Sequence, residues 1–262
     1  MLDLFIMLFT AHILADFVFQ TKWLLQRKQH FVGMALHIAI VLGATIVISG
    51  LFDWRILAII GVSHFVMDFI KTRYLSDTLT SFTLDQCLHI GVLVGLVWCF
   101  PNAFEASFWQ FASAENLQMG ITGLVLILGA ILSVRVGDIV INKAMLPMEK
   151  QFEEEVKSKL EVGRKNKYSG LPNAPAMIGV LERFIIYLLI MVGQPTGVGF
   201  LIAAKSILRF AGAKSDDHDN RRAEYAASEM IIVGTLMSFG WAISISILTL
   251  ITLKMRSVNL VI

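Results

Sequence analysis

The sequence is short of cysteine, of charge and of nucleotide-binding loops. Cys87 and Cys99 are the two cysteines in 262 residues and stand apart without CxxC spacing, so neither a disulfide framework nor a thiolate metal site is indicated. Packing is their expected role. Charged residues make up 16% of the chain, well below the share of an ordinary water-soluble domain. The formal net charge of +2 gives no reason to propose nucleic acid as a partner. No Walker A pattern is present and no GxGxxG opens a helix, which removes the usual phosphate-cradling signals. The stretch from Met1 to Phe9 lacks the basic n-region and small-residue cleavage site of a secretory signal, and reads as a retained first helix.

What the chain has in excess is apolar length. Hydrophobic residues make up 56% of it, and the mean hydropathy is +0.71. The runs Ile121 to Leu132 and Met230 to Leu253 approach or reach the length that crosses a hydrocarbon core of about 30 Å. The expected fold is an all-α integral membrane protein of about eight transmembrane helices, near 2–20, 34–51, 56–74, 85–100, 119–144, 176–193, 198–212 and 229–252. The 198–212 segment is short enough to be a half-helix. Lys22, Arg27 and Lys28 follow the first span and Lys71 and Arg73 the third, while the 101–118 connection has no Lys or Arg. That alternation places both termini outside the cytoplasm of a bacterial inner membrane, with Lys254 and Arg256 as the exception.

The domain organisation follows. Residues 1–100 form a four-helix membrane domain, 101–118 an extracytoplasmic loop and 119–146 a fifth span. Residues 147–175 form a cytoplasmic amphipathic helix and basic connector, with Met148, Phe152, Val156 and Leu160 on a four-residue period, and 176–262 form C-terminal membrane helices.

Within the first hundred residues one constellation occurs twice at an offset of 52: His12, Asp16, Phe17, His37, Ile38 and Gly43 recur as His64, Asp68, Phe69, His89, Ile90 and Gly95. This predicts a duplicated helical hairpin. His12 with Asp16, His64 with Asp68, and Asp85 with His89 are each four residues apart, which puts both members on one helix face. His37 adds a seventh polar group. Asp85 breaks the symmetry, because Gly33 occupies the matching position.

Each buried Asp in a membrane span costs about 2.5–3.5 kcal/mol on insertion scales, so three of them set among four histidines need a purpose. A mixed nitrogen and oxygen donor set suits zinc, manganese or iron. The expected ligands are His12, Asp16, His37, His64, Asp68 and His89, with Asp85 as catalytic group or further ligand. Lys71, Arg135, Lys205 and Arg209 are candidate contacts for an anionic, phosphate-bearing substrate or lipid. A single HxxxD pair is more often interhelical glue, but matched duplication makes glue a poor account of the whole set. The pairs Arg135 with Asp138 and Glu182 with Arg183 read as a structural ion-pair network.

His12-Ile-Leu-Ala-Asp16-Phe-Val-Phe-Gln20, His64-Phe-Val-Met-Asp68-Phe-Ile-Lys71 and Asp85-Gln86-Cys-Leu-His89 resemble an uncharacterised bacterial integral-membrane family, domain-of-unknown-function thirty-three-oh-seven. Leu181-Glu182-Arg183 and Lys205-Ser206 with Arg209-Phe210 resemble the extension of its longer members. A looser similarity, on the HxxxD pairs alone, is to membrane-bound metal-dependent hydrolases. The expected function is hydrolysis of a phosphoester or lipid phosphate from the cytoplasmic leaflet. A divalent-cation or proton-coupled transporter is the alternative, although the ligand-bearing spans lack the paired Gly or Pro interruptions of broken transporter helices. A membrane scaffold stapled by a structural site is the third reading.

Overall fold

The computed structural model describes residues 1–159, 174–212 and 221–256. Among them there is no β-strand, and the chain is all-helical. The helices are α1 (Leu2–Leu14), α2 (Lys22–Arg27), α3 (Phe31–Ser49), α4 (Trp54–Tyr74), α5 (Leu79–Cys99), α6 (Ala114–Ile131), α7 (Gly137–Lys159), α8 (Ala174–Met191), α9 (Thr196–Gly212) and α10 (Arg221–Met255). α1 runs on into a π-helical turn, Ala15–Phe19, and α6 into another, Leu132–Val136.

Five segments among the described residues are long and apolar enough to cross a membrane: Leu2–Phe19, Phe31–Ser49, Leu79–Cys99, Ala114–Phe152 and Ser228–Met255. α4 is as long as α5 but carries Arg55, His64, Asp68, Lys71 and Arg73, which lower its hydropathy. Large apolar side chains cover the outside: Val62, Phe31 and Phe200 are all exposed. Such a surface has lipid, not water, as its natural solvent. Trp54 and Trp98, at the start of α4 and the end of α5, are also exposed, as in an interfacial aromatic belt.

The chain divides into two compact units, Met1–Ile131 and Leu132–Ile262. In the first, α1 packs against α3, α5 and α6, and α4 bridges α3 and α5. Thr21 accepts from Leu24 N at the start of α2, Asp53 from Arg55 N at α4, and Thr78 from Ser81 N at α5. Each cap satisfies a backbone N–H that has no partner inside its helix. α3 ends at Gly50, whose φ of 65° is left-handed and whose absent side chain makes room for the Phe108 ring. One half of this unit is a dry apolar core that includes Leu4, Leu8, Val41, Ile56, Ile60 and Leu93.

In the second unit α8 packs on α10, and Ile186, Val198, Phe239 and Ala242 form its core. The π-helical turn at Leu132 leaves a carbonyl outside the regular ladder, and Trp241 Nε1 donates to it at 2.9 Å. α7 carries Pro147 in its interior, so the residues expected to begin an interfacial helix there continue one that starts at Gly137. Beyond Lys159 the expected connector lies outside the described residues until Ala174, as do the side chains of Val156 and Arg209.

Candidate metal centre

Five elements of the first unit deliver the His and Asp side chains to one place. α1 supplies His12, and the π-helical turn after it supplies Asp16. A π-turn inserts one residue into the helical register and so re-aims the side chains it carries, a device common at functional sites. α3 supplies His37, α4 His64 and Asp68, and α5 Asp85 and His89. All seven side chains are at most 7% exposed.

The tightest grouping has four donor atoms: His37 Nε2, His64 Nε2, Asp16 Oδ1 and Asp68 Oδ2. The two imidazole nitrogens face each other at 3.0 Å. His37 Nε2 is 3.4 Å from Asp16 Oδ1 and 3.2 Å from Asp68 Oδ2. His64 Nε2 is 3.2 Å and 3.5 Å from the same two oxygens. Metal–nitrogen and metal–oxygen bonds of 2.0–2.2 Å in tetrahedral geometry put neighbouring donors about 3.3–3.5 Å apart. The five separations therefore have the size of the edges of a metal-coordination polyhedron. Asp16 Oδ1 makes no well-formed hydrogen bond, which is costly for a buried carboxylate oxygen and is relieved by a cation.

Two further groups share donors with this one: His12 with Asp16 and His64, and Asp68 with Asp85 and His89, the ligand atoms in each lying within 4.8 Å of one another. His12 Nε2 donates to Gln86 Oε1 at 3.2 Å, and its Nδ1 is 4.0 Å from Asp16 Oδ2. The His12 ring stacks on His89 with centroids 5.0 Å apart. His12 thus borders the four-atom set and is held there by hydrogen bonding and stacking.

Lysines cap the carboxylates. Lys28 Nζ is 2.7 Å from Asp68 Oδ2, and Lys71 Nζ donates to Asp85 Oδ2 at 2.5 Å. Lys28 is buried, whereas the Lys71 side chain is 29% exposed. Gln20 completes the arrangement: its amide lies 3.5 Å from His37 Nδ1, and with the amide turned over its nitrogen donates to the Asp16 carbonyl and its oxygen accepts from Lys28. Toward the apolar core the site adjoins a cavity of only about 10 Å³, bordered by Leu8, Val41, Ile60 and Leu93 and by His12 and His64. That is room for one water at most.

Residues 4–117 match the family model described as Protein of unknown function (DUF3307). The N-terminal part of the chain is thus similar to that family. The match takes in all seven His and Asp residues, Lys28 and Lys71, and it carries no activity with it. Among curated proteins and solved structures nothing matches the chain.

Of the other expected site residues, Lys71 lies at the edge of the His and Asp cluster through its bond to Asp85. Lys205 belongs to the second unit and donates to Glu182 at 2.6 Å. Arg135 is on the surface of the π-helical turn in that unit, and the Arg209 side chain lies outside the described residues. The ion-pair partners there differ from those expected of sequence neighbours: Arg183 donates to Asp138 at 2.9 Å and also to Ser238. Asp138, Glu182, Arg183 and Lys205 line a cavity of about 560 Å³.

Sequence reasoning passed over Lys28 and left Gln86 without a role. Lys28 follows α2 in a basic connection, where lysine signals topology. Its burial depends on Gly33, at which a Cβ would lie 2.1 Å from the Arg27 carbonyl oxygen. Only glycine lets the end of α2 press so closely onto α3.

Proposed function

We propose that this protein is a multi-pass enzyme of the bacterial inner membrane that uses a divalent metal, held in its N-terminal unit, to hydrolyse a phosphoester or lipid phosphate. One observation carries the reading: four donor atoms from two helices and a π-helical turn lie 3.0–3.5 Å apart across five measured separations. His37, His64, Asp16 and Asp68 hold the ion, and the donor types fit zinc, manganese or iron. When bound, such an ion supplies Lewis acidity to a phosphoryl oxygen and lowers the pKa of water.

The remaining residues have roles that do not depend on the ion. Lys28 neutralises Asp68 from within the protein. Lys71, the more exposed lysine, offers an ammonium to an anionic substrate arriving from its end of the unit. Asp85 stands outside the four-atom set. One of its oxygens is held by Lys71 and Gln86 and the other has no hydrogen-bond partner, as suits a group that acts on something bound beside it.

Access from one side supports catalysis over transport. The dry core of Leu4, Leu8, Val41, Ile56 and Ile60 closes the site at the end opposite Lys28 and Lys71. An ion pathway would need that core to open. The finer architecture belongs to the same reading: eight spans, both termini outside the cytoplasm, and a duplicated hairpin that pairs His12 with His64 and His37 with His89 at an offset of 52.

The test is elemental analysis of the detergent-purified full chain beside His64→Ala and Asp68→Asn, followed by phosphate release from phosphatidic acid in mixed micelles. A stoichiometric transition metal in the wild type, lost together with phosphate release in both variants, is the expected result. A protein with no such metal sinks the reading, and metal uptake into proteoliposomes without phosphate release would replace it with transport.

A further inference from the structure

The donors left over by the four-atom set are themselves arranged as ligands. His89 Nδ1 donates to the Asp85 carbonyl oxygen at 2.8 Å, one helical turn back on α5. That bond consumes the ring proton, so Nε2 presents a lone pair. His89 Nε2 is buried and has no hydrogen-bond partner. A ligating histidine typically donates its other ring N–H to a backbone carbonyl in this way, which fixes tautomer and ring orientation.

Asp85 shows the same division of labour. Its Oδ2 accepts from Lys71 Nζ and from Gln86 Nε2, while Oδ1 is buried without a hydrogen-bond partner. Asp68, Asp85 and His89 each offer a ligand atom within 4.8 Å of the others. Two unpartnered buried donors of complementary chemistry, next to a carboxylate already assigned to one ion, describe a place for another cation.

The repeat points the same way. An offset of 52 carries His37 onto His89 and Asp16 onto Asp68, so two of the four ligands of the first position have counterparts around the second. Asp85 has none, because Gly33 stands at the matching place and lies against the Arg27 carbonyl. The second position thus has a carboxylate that the first cannot have.

We infer that the N-terminal unit binds two divalent cations, the second held by His89 Nε2, Asp85 Oδ1 and Asp68, with Asp68 shared between the two positions. This rests on the metal centre proposed above. It makes the site binuclear, the arrangement in which two cations jointly clamp the attacking and leaving oxygens of a phosphoryl group. Lys71 then lies at the second position through Asp85, and so beside the substrate.

The full chain, purified in detergent and loaded with Mn²⁺, tests this by metal stoichiometry and by electron paramagnetic resonance. Two ions per chain are expected, with the exchange-broadened spectrum of a carboxylate-bridged pair. His89→Ala and Asp85→Asn should each bring the count from two to one and restore the six-line spectrum of isolated Mn²⁺. One ion in the wild type overturns the second position while leaving the first intact, and so does a count of two in both variants. Absence of any bound ion overturns the metal centre as a whole. The wild-type count decides even if a variant fails to fold.

Discussion

Lys28 Nζ lies 2.7 Å from Asp68 Oδ2, with both side chains at most 5% exposed, although the two residues come from different segments of the chain. The ammonium gives Asp68 a counter-charge built into the protein. Breaking one partner of a buried pair leaves the other charge uncompensated, at a cost of about 3–5 kcal/mol. Lys28→Met should therefore destabilise the metal-free protein by about that much. Added Zn²⁺ or Mn²⁺ should raise its melting temperature more than that of the wild type, as read by thermal unfolding in detergent. Equal shifts in the two proteins would show that Lys28 and the metal do not serve the same carboxylate.

Chelation should lower the melting temperature of the wild type. A ligand that binds only the folded state at 100 times its dissociation constant stabilises by about 2.7 kcal/mol. Differential scanning fluorimetry before and after dialysis against a chelator measures this. His64→Ala, which removes a nitrogen from the four-atom set, should show no further loss on chelation.

Metal occupancy should fall as the pH is lowered from 8 to 5. Protons compete with the ion for its donors, since ligation needs neutral imidazole and ionised carboxylate. The sign is fixed by the donor types: occupancy is high above the range in which the donors take up protons and low below it. Metal retained per chain after equilibration across this range reports it, and a flat profile would exclude histidine ligation.

Gly33→Ala tests the close approach that seats Lys28. The new Cβ would lie 2.1 Å from the Arg27 carbonyl oxygen, so α2 has to move. Overpacking of this kind costs about 1–3 kcal/mol. Reduced stability should be accompanied by a larger metal-induced shift, because displacing α2 draws Lys28 away from Asp68. The two measurements separate a local clash from a change in the charge balance.

In the second unit, Arg183→Met should destabilise by about 3 kcal/mol, because Asp138 loses the guanidinium that donates to it at 2.9 Å. Adding Asp138→Leu should recover most of the loss. A double-variant cycle on unfolding free energies gives the coupling directly.

Much of the site was legible before any coordinate was known. His12, Asp16, His64, Asp68, Asp85 and His89 stood out because ionisable residues in apolar helices are expensive, and their four-residue spacings put each pair on one face. Lys28 and Gln86 were not legible, since a lysine in a basic connection and a glutamine near a helix end carry no periodic signal. The π-helical turn that aims Asp16 was also hidden, because its residues, Ala15–Phe19, read as ordinary apolar helix.

By itself the sequence determined the all-helical class, the apolar character of the spans and the offset of 52 that relates their polar residues. Composition and helical periodicity are local properties, and they need no knowledge of neighbours. Tertiary structure alone decided which donors face one another: His37 with His64, Asp16 beside both, and His89 next to Asp85 and Asp68. It also decided that Lys28, and no nearer cation, reaches Asp68. Such pairings depend on how helices distant in sequence pack, and a separation of 3 Å between two nitrogens is set by that packing, not by the residues' places in the chain.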